Sequence, residues 1–160
     1  MPDIVVHGEG KSNARIMVVG AHPGEHELST RKPFSGPLGG IVRGVLSSVS
    51  DSVFYTYLCR RRPQGRIQTS DIDLVALDRD LDRIRPEIVL CCGGFVTRHF
   101  LGSPVGIVRG MIVPRYHTGI GRTIKFLPVY DLGHVMRRGG LTSPVGLDWI
   151  SDIEEIARVL

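Results

Sequence analysis

Apolar residues along this chain fall into two kinds of stretch: short continuous runs, and longer ones in which they recur every three or four positions. The runs are Ile16 to Val19, closed by Gly20 and read with Arg15 as the first core strand, then Val53 to Cys59 (VFYTYLC), Ile88 to Cys92, Ile107 to Val113 and Ile124 to Val129. Short unbroken apolarity rich in β-branched and aromatic side chains predicts strands, and the Ile88–Cys92 run predicts one buried on both faces. Between the runs, Leu38, Ile41, Val42, Val45, Leu46 and Val49 recur at helical spacing behind Pro37. Ile72, Val75, Leu77, Leu81 and Ile84 do the same behind Ser70 with Asp73 three positions on, a helix-cap spacing. That helix keeps an acidic outer face and ends at Pro86. Gly93–Gly94 turns into a short helix ending near Leu101–Gly102, and a polar turn from Tyr116 to Arg122 separates the last two strands. Leu147, Ile150, Ile153, Ile156 and Leu160 form one stripe after Ser143–Pro144, and residues 1–14 read as an arm or edge strand around Ile4–Val6 with a polar turn. Strands alternating with helices predict an α/β fold, a three-layer α/β/α sandwich around a mostly parallel sheet of about four to five strands. No repeat, low-complexity tract or linker interrupts the pattern, so residues 1–160 are expected to form one domain.

In such a sheet ligands bind outside the carboxyl ends of the strands. The first run ends in Gly20, a Pro23–Gly24 turn follows, and a second Pro/Gly-rich loop from Pro33 to Gly40 leads into the first helix. The floor of any active site is expected there.

Composition narrows the classes. At 42% hydrophobic and 22% charged the chain is globular, and disorder is excluded. No apolar run approaches the ~18 residues of a membrane span, and the start lacks a signal peptide's basic-then-apolar order, so a soluble, cytoplasmic protein without a membrane partner is expected. Cys59, Cys91 and Cys92 show no metal spacing and read as buried thiols, so neither a metal, a cofactor nor a disulfide is expected. The net charge is +4, and the first 147 residues hold 19 bases against 12 acids, a net +7. A mildly basic body suits an acidic polymer, while a codon bias toward Arg, 17 of the 20 bases, gives the same count.

Five landmarks then carry a resemblance along almost the whole chain: VVGAHPG at 18–24, PFSG at 33–36, YTYLCRRRPQGR at 55–66, IRPEIVLCCGG at 84–94 and LPVYDLGHVMRR at 127–138. Together they resemble the uracil-DNA glycosylase superfamily, especially the family-four type usually found with an iron–sulfur cluster. Such enzymes flip a base out of DNA, stack it on an aromatic ring, read its edge and hydrolyse the N-glycosidic bond, with groups that place water at the sugar and donors that face the departing base. By resemblance Phe34 is the stacking ring, Tyr57 stands where the base edge is read, and Gly20, Ala21, Pro23 and Gly24 bring the turn's backbone to the base. The resemblance puts Ser35, Gly36, Arg60, Arg61, Arg62 and Arg66 at the DNA, with a second loop from Asp131 to Arg138. There Val135 or Met136 would act as wedge, with His134, Arg137 and Arg138 on phosphates.

The pattern departs from the family at defined positions. The water-positioning Glu falls at Ala21, the edge-reading Asn at Tyr57 and the His that stabilises the departing base at Asp131; Arg61 stands at a cluster-ligand position, and no Cys precedes residue 59. No cluster is therefore expected. His22 occupies the middle of the turn, where other branches of the superfamily carry a water-holding Asp or Asn. The expectation is that His22 supplies the polar function at the sugar, with Asp131 orienting it or touching a nonstandard base. His22 as a solvent-facing turn residue stays open, as do His134 as the displaced family His and a solvated loop for the arginines. His26 and Glu27 carry no assignment.

Three functions remain. One is a monomeric DNA glycosylase acting on a flipped, modified or deaminated base in single- or double-stranded DNA. Another is a catalytically altered member that binds DNA or a protein, and the third is a transferase on modified bases. A pocket holding His22, Phe34 and Asp131 around a base-sized space favours an enzyme; a Tyr57 that fills that space favours binding.

Overall fold

In the computed structural model, which describes residues 4–160, five buried residues from Ile16 to Gly20 form the strand on which the sheet is centred. We label it β2, after a two-residue edge strand β1 (Glu9–Gly10), and number on through β3 (Val53–Tyr57), β4 (Ile88–Cys92), β5 (Val113–His117) and β6 (Arg122–Val129). Their order is β1-β3-β2-β4-β6-β5, with β3, β2, β4 and β6 parallel and an antiparallel strand at each edge. The helices are α1 (Glu25–Thr30), α2 (Pro37–Ser47), α3 (Leu74–Ile84), α4 (Gly94–Leu101), α5 (Val105–Val108), α6 (Leu132–Arg137) and α7 (Pro144–Glu154). Among the described residues no helix is long and apolar enough to cross a membrane.

Alternation along the strands explains why they read as unbroken apolar runs. Ile16, Val18, Tyr55, Tyr57, Ile88 and Leu90 pack on one face with Val42, Leu46, Trp149 and Ile153 of α2 and α7. Met17, Val19, Phe54, Val89 and Cys91 pack on the other with Leu77, Leu81, Ile84 and Val96 of α3 and α4. Both faces are covered, so both sets must be apolar. From β2 the chain moves outward to β3 and then returns to β4 on the other side of β2. The carboxyl ends of β2 and β4 therefore flank the switch point where open α/β sheets form a crevice.

Several expectations are corrected. Residues 1–3 of the expected arm lie outside the described residues, and Ile4–Val6 is not a strand: the Val6 amide donates singly to the Arg60 carbonyl at 2.8 Å. Pairing begins at Glu9 and continues at Gly10, where φ is +150° and a Cβ would lie 2.3 Å from the Val53 carbonyl oxygen, so only glycine approaches that closely. The sheet has six strands rather than four or five because both antiparallel edges are short and mostly exposed, with no apolar rhythm to mark them. Ile107–Val113 is not a strand either. Val105–Val108 makes a helical turn, Gly110 (φ +77°) redirects the chain, and pairing starts at Val113, so the turn is confined to 118–121.

The α3 cap is Asp73, whose side chain accepts from the Ala76 amide at 3.1 Å, whereas Ser70 lies in a separate 3-10 turn, Thr69–Asp71. Its buried stripe is Ala76, Leu77, Asp80, Leu81 and Ile84, while Val75 is exposed. In α7 the anchors are Trp149 and Ile153, with Leu147 exposed. Two six-residue helices, α1 and α6, occupy stretches read as loops, because fewer than two turns show no periodicity.

Candidate active site

A cleft of about 610 Å³ opens where the sheet topology places a crevice, and His22, Phe34, Tyr57 and Asp131 all line it. The ends of β2 and β4 supply Gly20 and Cys92, and the starts of α1, α2 and α4 supply Gly24–Glu25, Pro37–Leu38 and Gly93–Gly94. Asp131 stands at the start of α6. Helix amino-terminal ends bring partial positive charge to the cleft, while its charged side chains are the carboxylates of Glu25, Glu27 and Asp131, with no Lys or Arg in the lining among the described residues.

Phe34 is held in a conformation that non-glycine residues seldom adopt, with φ at +54°. Both of its backbone groups are held by side chains. Its amide donates to the Tyr57 hydroxyl at 3.0 Å, and its carbonyl accepts from Arg43 Nε at 3.0 Å. Arg43 also donates to the Pro33 carbonyl at 2.7 Å and lies 4.0 Å over the Tyr55 ring. Such a residue persists only where its surroundings over-determine it, as they do at functional sites. Gly39 completes the fit: a Cβ there would stand 2.4–2.5 Å from Phe34 backbone atoms. Gly39→Ala is expected to lose about 1–3 kcal/mol, read from urea midpoints; a change below about 0.5 kcal/mol would mean the loop simply shifts.

The Tyr57 ring is stacked flat on Phe34, centroids 5.2 Å apart and planes 7° apart, and only 5% of the residue is exposed. Burial pushes its phenol well above the ordinary range, with the Phe34 hydrogen bond acting the other way, so the hydroxyl stays protonated at neutral pH. One face of the expected stacking ring is thus covered by the chain itself.

His22 is partly buried, with Nδ1 2.9 Å from the Pro23 carbonyl. A carbonyl only accepts, so Nδ1 carries the hydrogen in this contact, and in the neutral ring Nε2 is the acceptor. The Pro23 backbone therefore orients the imidazole, the role expected of Asp131, which is exposed on the cleft wall. Gly93, with φ at +94°, lets Asp131 close in: a Cβ there would stand 3.1 Å from that of Asp131.

Glu27, unassigned above, braces both motif loops. Its carboxylate accepts from the Gly24 amide at 3.1 Å and the Gly36 amide at 2.6 Å. The spacing of Gly24 and Glu27 is that of a helix-capping pair and is the signal that marks it. With Gly24 engaged, and Pro23 buried outside the lining and lacking an N–H, the turn amides left to a ligand are those of Ala21 and His22. Gly36 has likewise committed its amide, and the Ser35 hydroxyl donates to the Lys32 carbonyl at 2.9 Å.

Two expected DNA contacts are corrected. Arg60 is 4% exposed and ion-paired with buried Asp80, and Val135 is 0% exposed in the core, so neither stands on the exposed surface of the arginine loop or of the second loop. Met136 and Arg137 are exposed on α6 and Arg138 just beyond its end, and Arg61, Arg62 and Arg66 on the loop after β3, with Arg62 3.4 Å from Glu25. His134 packs beside Tyr130, ring centroids 4.9 Å apart, outside the cleft lining.

An iron–sulfur cluster held by thiolates does not fit these residues. Cys59 is buried just beyond β3 and Cys91 within β4, position 61 is an exposed arginine, and among the described residues no three His, Cys, Asp or Glu side chains converge on a metal position. Burial lifts the Cys59 thiol to about 11, and burial together with Asp131 lifts Cys92, though it lines the cleft. All three thiols are expected to stay silent toward Ellman's reagent at pH 8 until urea unfolds the chain; one fast native thiol would contradict this. For Cys59 the folded state holds its proton longer than the unfolded state. Its contribution is therefore present below the ordinary value of 9.0 and lost as pH rises toward about 11.

A family model described as the uracil DNA glycosylase superfamily matches residues 7–142. A type-4 uracil-DNA glycosylase of Saccharolobus solfataricus is 29% identical over 138 residues, 70% of this chain and 64% of that protein. One of Sulfurisphaera tokodaii is 33% identical over 61% of this chain and 48% of its own length, and one of Archaeoglobus fulgidus 25% identical over 96% and 81%. The match thus spans less than two thirds of the first two relatives.

Proposed function

The chain belongs to the uracil DNA glycosylase superfamily, and from that premise we propose that it is a DNA glycosylase acting on a flipped, modified or deaminated base. The observation that carries this reading is His22 in the cleft, with Nδ1 tied to the Pro23 carbonyl and Nε2 turned into an acceptor. Nε2 takes a proton from water as the oxygen attacks the sugar's anomeric carbon. The N-glycosidic bond breaks with its electron pair going to the base. The Ala21 and His22 amides and the amino-terminal end of α4 offer positive partial charge to that departing base. Asp131 offers hydrogen-bond acceptors, which suits a base presenting an extra amino or hydroxyl donor rather than plain uracil.

A second reading has its own observation. The Tyr57 ring on Phe34 occupies a face on which a base would stack, which favours a member that binds DNA without excising. Incubation with single- and double-stranded oligonucleotides carrying uracil, hydroxymethyluracil, other modified pyrimidines or deaminated purines, scoring release and binding together, separates the two. Release of any base supports the glycosylase; binding without release across the panel overturns it in favour of recognition.

A further inference from the structure

On the α3 side of the β1–β3 edge lies a second concavity of about 260 Å³, sharing no lining residue with the cleft. His7, Gly8, Arg60, Arg79, Asp80 and Arg83 line it, three guanidinium groups around one carboxylate. Asp80 is 3% exposed and already engaged: it pairs with Arg60, stands 3.5 Å from the Thr56 hydroxyl and 3.5 Å from Arg83 Nη2. That single negative charge balances one arginine and leaves a net charge of +2. Arg60 forms the buried floor, with Nη1 3.2 Å from His7 Nδ1 and, among the described residues, no hydrogen-bond partner for the buried Nε. Arg79 and Arg83 stand exposed at the rim, one helical turn apart on α3, a like-charge spacing that destabilises a bare helix.

We propose that this concavity is a phosphate-binding site. Guanidinium forks match the paired oxygens of a phosphate group, and a phosphate dianion would cancel the uncompensated charge. The group is either a free phosphate or a backbone phosphate of bound DNA, and the site is independent of the chemistry assigned to the cleft.

The test compares thermal unfolding of the wild-type chain and the Arg79→Ala/Arg83→Ala double variant in inorganic phosphate and in chloride of equal ionic strength. Both positions are exposed rim residues outside the cleft, and circular dichroism checks the fold. Phosphate is expected to raise the wild-type Tm above its value in chloride, and the variant to bind phosphate about tenfold or more weakly. A parallel titration of undamaged duplex across salt concentrations distinguishes the sources. If the slope of log K against log salt falls by about 1 to 2 in the variant, the phosphate belongs to DNA; an unchanged slope with a lost Tm response assigns a free phosphate. A variant that matches wild type in both measurements overturns the proposal.

Discussion

Replacing His22 with Ala is expected to lower base release from DNA by about 10²- to 10⁴-fold, the usual worth of a positioned general base, while changing affinity for the same oligonucleotide little. The size follows from the lack of a substitute at this point of the turn. Ala21 next to it has no polar group, Glu27 has both oxygens on the Gly24 and Gly36 amides, and Pro23 offers only the carbonyl that holds the imidazole. Fold disruption is not the expected cause, because His22 is only partly buried and its hydrogen bond reaches just to its neighbour. Single-turnover release under enzyme excess, alongside equilibrium binding, measures the two effects separately. Turnover equal to wild type would remove His22 from the chemistry.

The Tyr57 position carries the other large effect, and it acts on stability and recognition together. Tyr57→Ala removes a buried ring and is expected to destabilise by about 3–5 kcal/mol. Tyr57→Phe keeps the ring but leaves the Phe34 amide without its acceptor, costing about 1–3 kcal/mol. Tyr57→Asn uncovers the Phe34 face and keeps a polar group within the pocket wall. Base–aromatic stacking contributes about 1–3 kcal/mol per base, so that variant is expected to bind a single strand bearing uracil roughly tenfold tighter. Competition binding against wild type checks it. No gain would mean that a base meets the opposite face of Phe34, and that the Tyr57 ring extends the platform instead of covering it.

What was readable in the sequence was whatever a local signal encodes. Unbroken apolar runs marked β2, β3 and β4 because strands covered on both faces need apolar residues at every position. Gly and Pro punctuation marked the loops, and the family resemblance pointed to His22, Phe34 and Asp131, which line one cleft. The misses are non-local. Arg60 belongs to a basic run that reads as an exposed loop, yet it is buried and paired with Asp80, twenty residues on, on a helix whose acids look solvated. Val135 looks like a loop tip because α6 is too short to show that this side faces the core. Tyr57 reads as a site residue by position, but its hydrogen bond to a backbone amide 23 residues away depends on how the Phe34 loop folds back.

The two antiparallel edges have a consequence for behaviour at high concentration. A sheet edge is a template on which a further strand, from a misfolded or swapped copy, can polymerise. Here β1 extends only two residues and includes Gly10, while β5 carries Pro114, which has no N–H to give, and the exposed charge of Arg115. Neither border offers a continuous ladder, so both ends of the parallel core are closed to strand addition, and fibril growth through the native sheet is blocked at its margins.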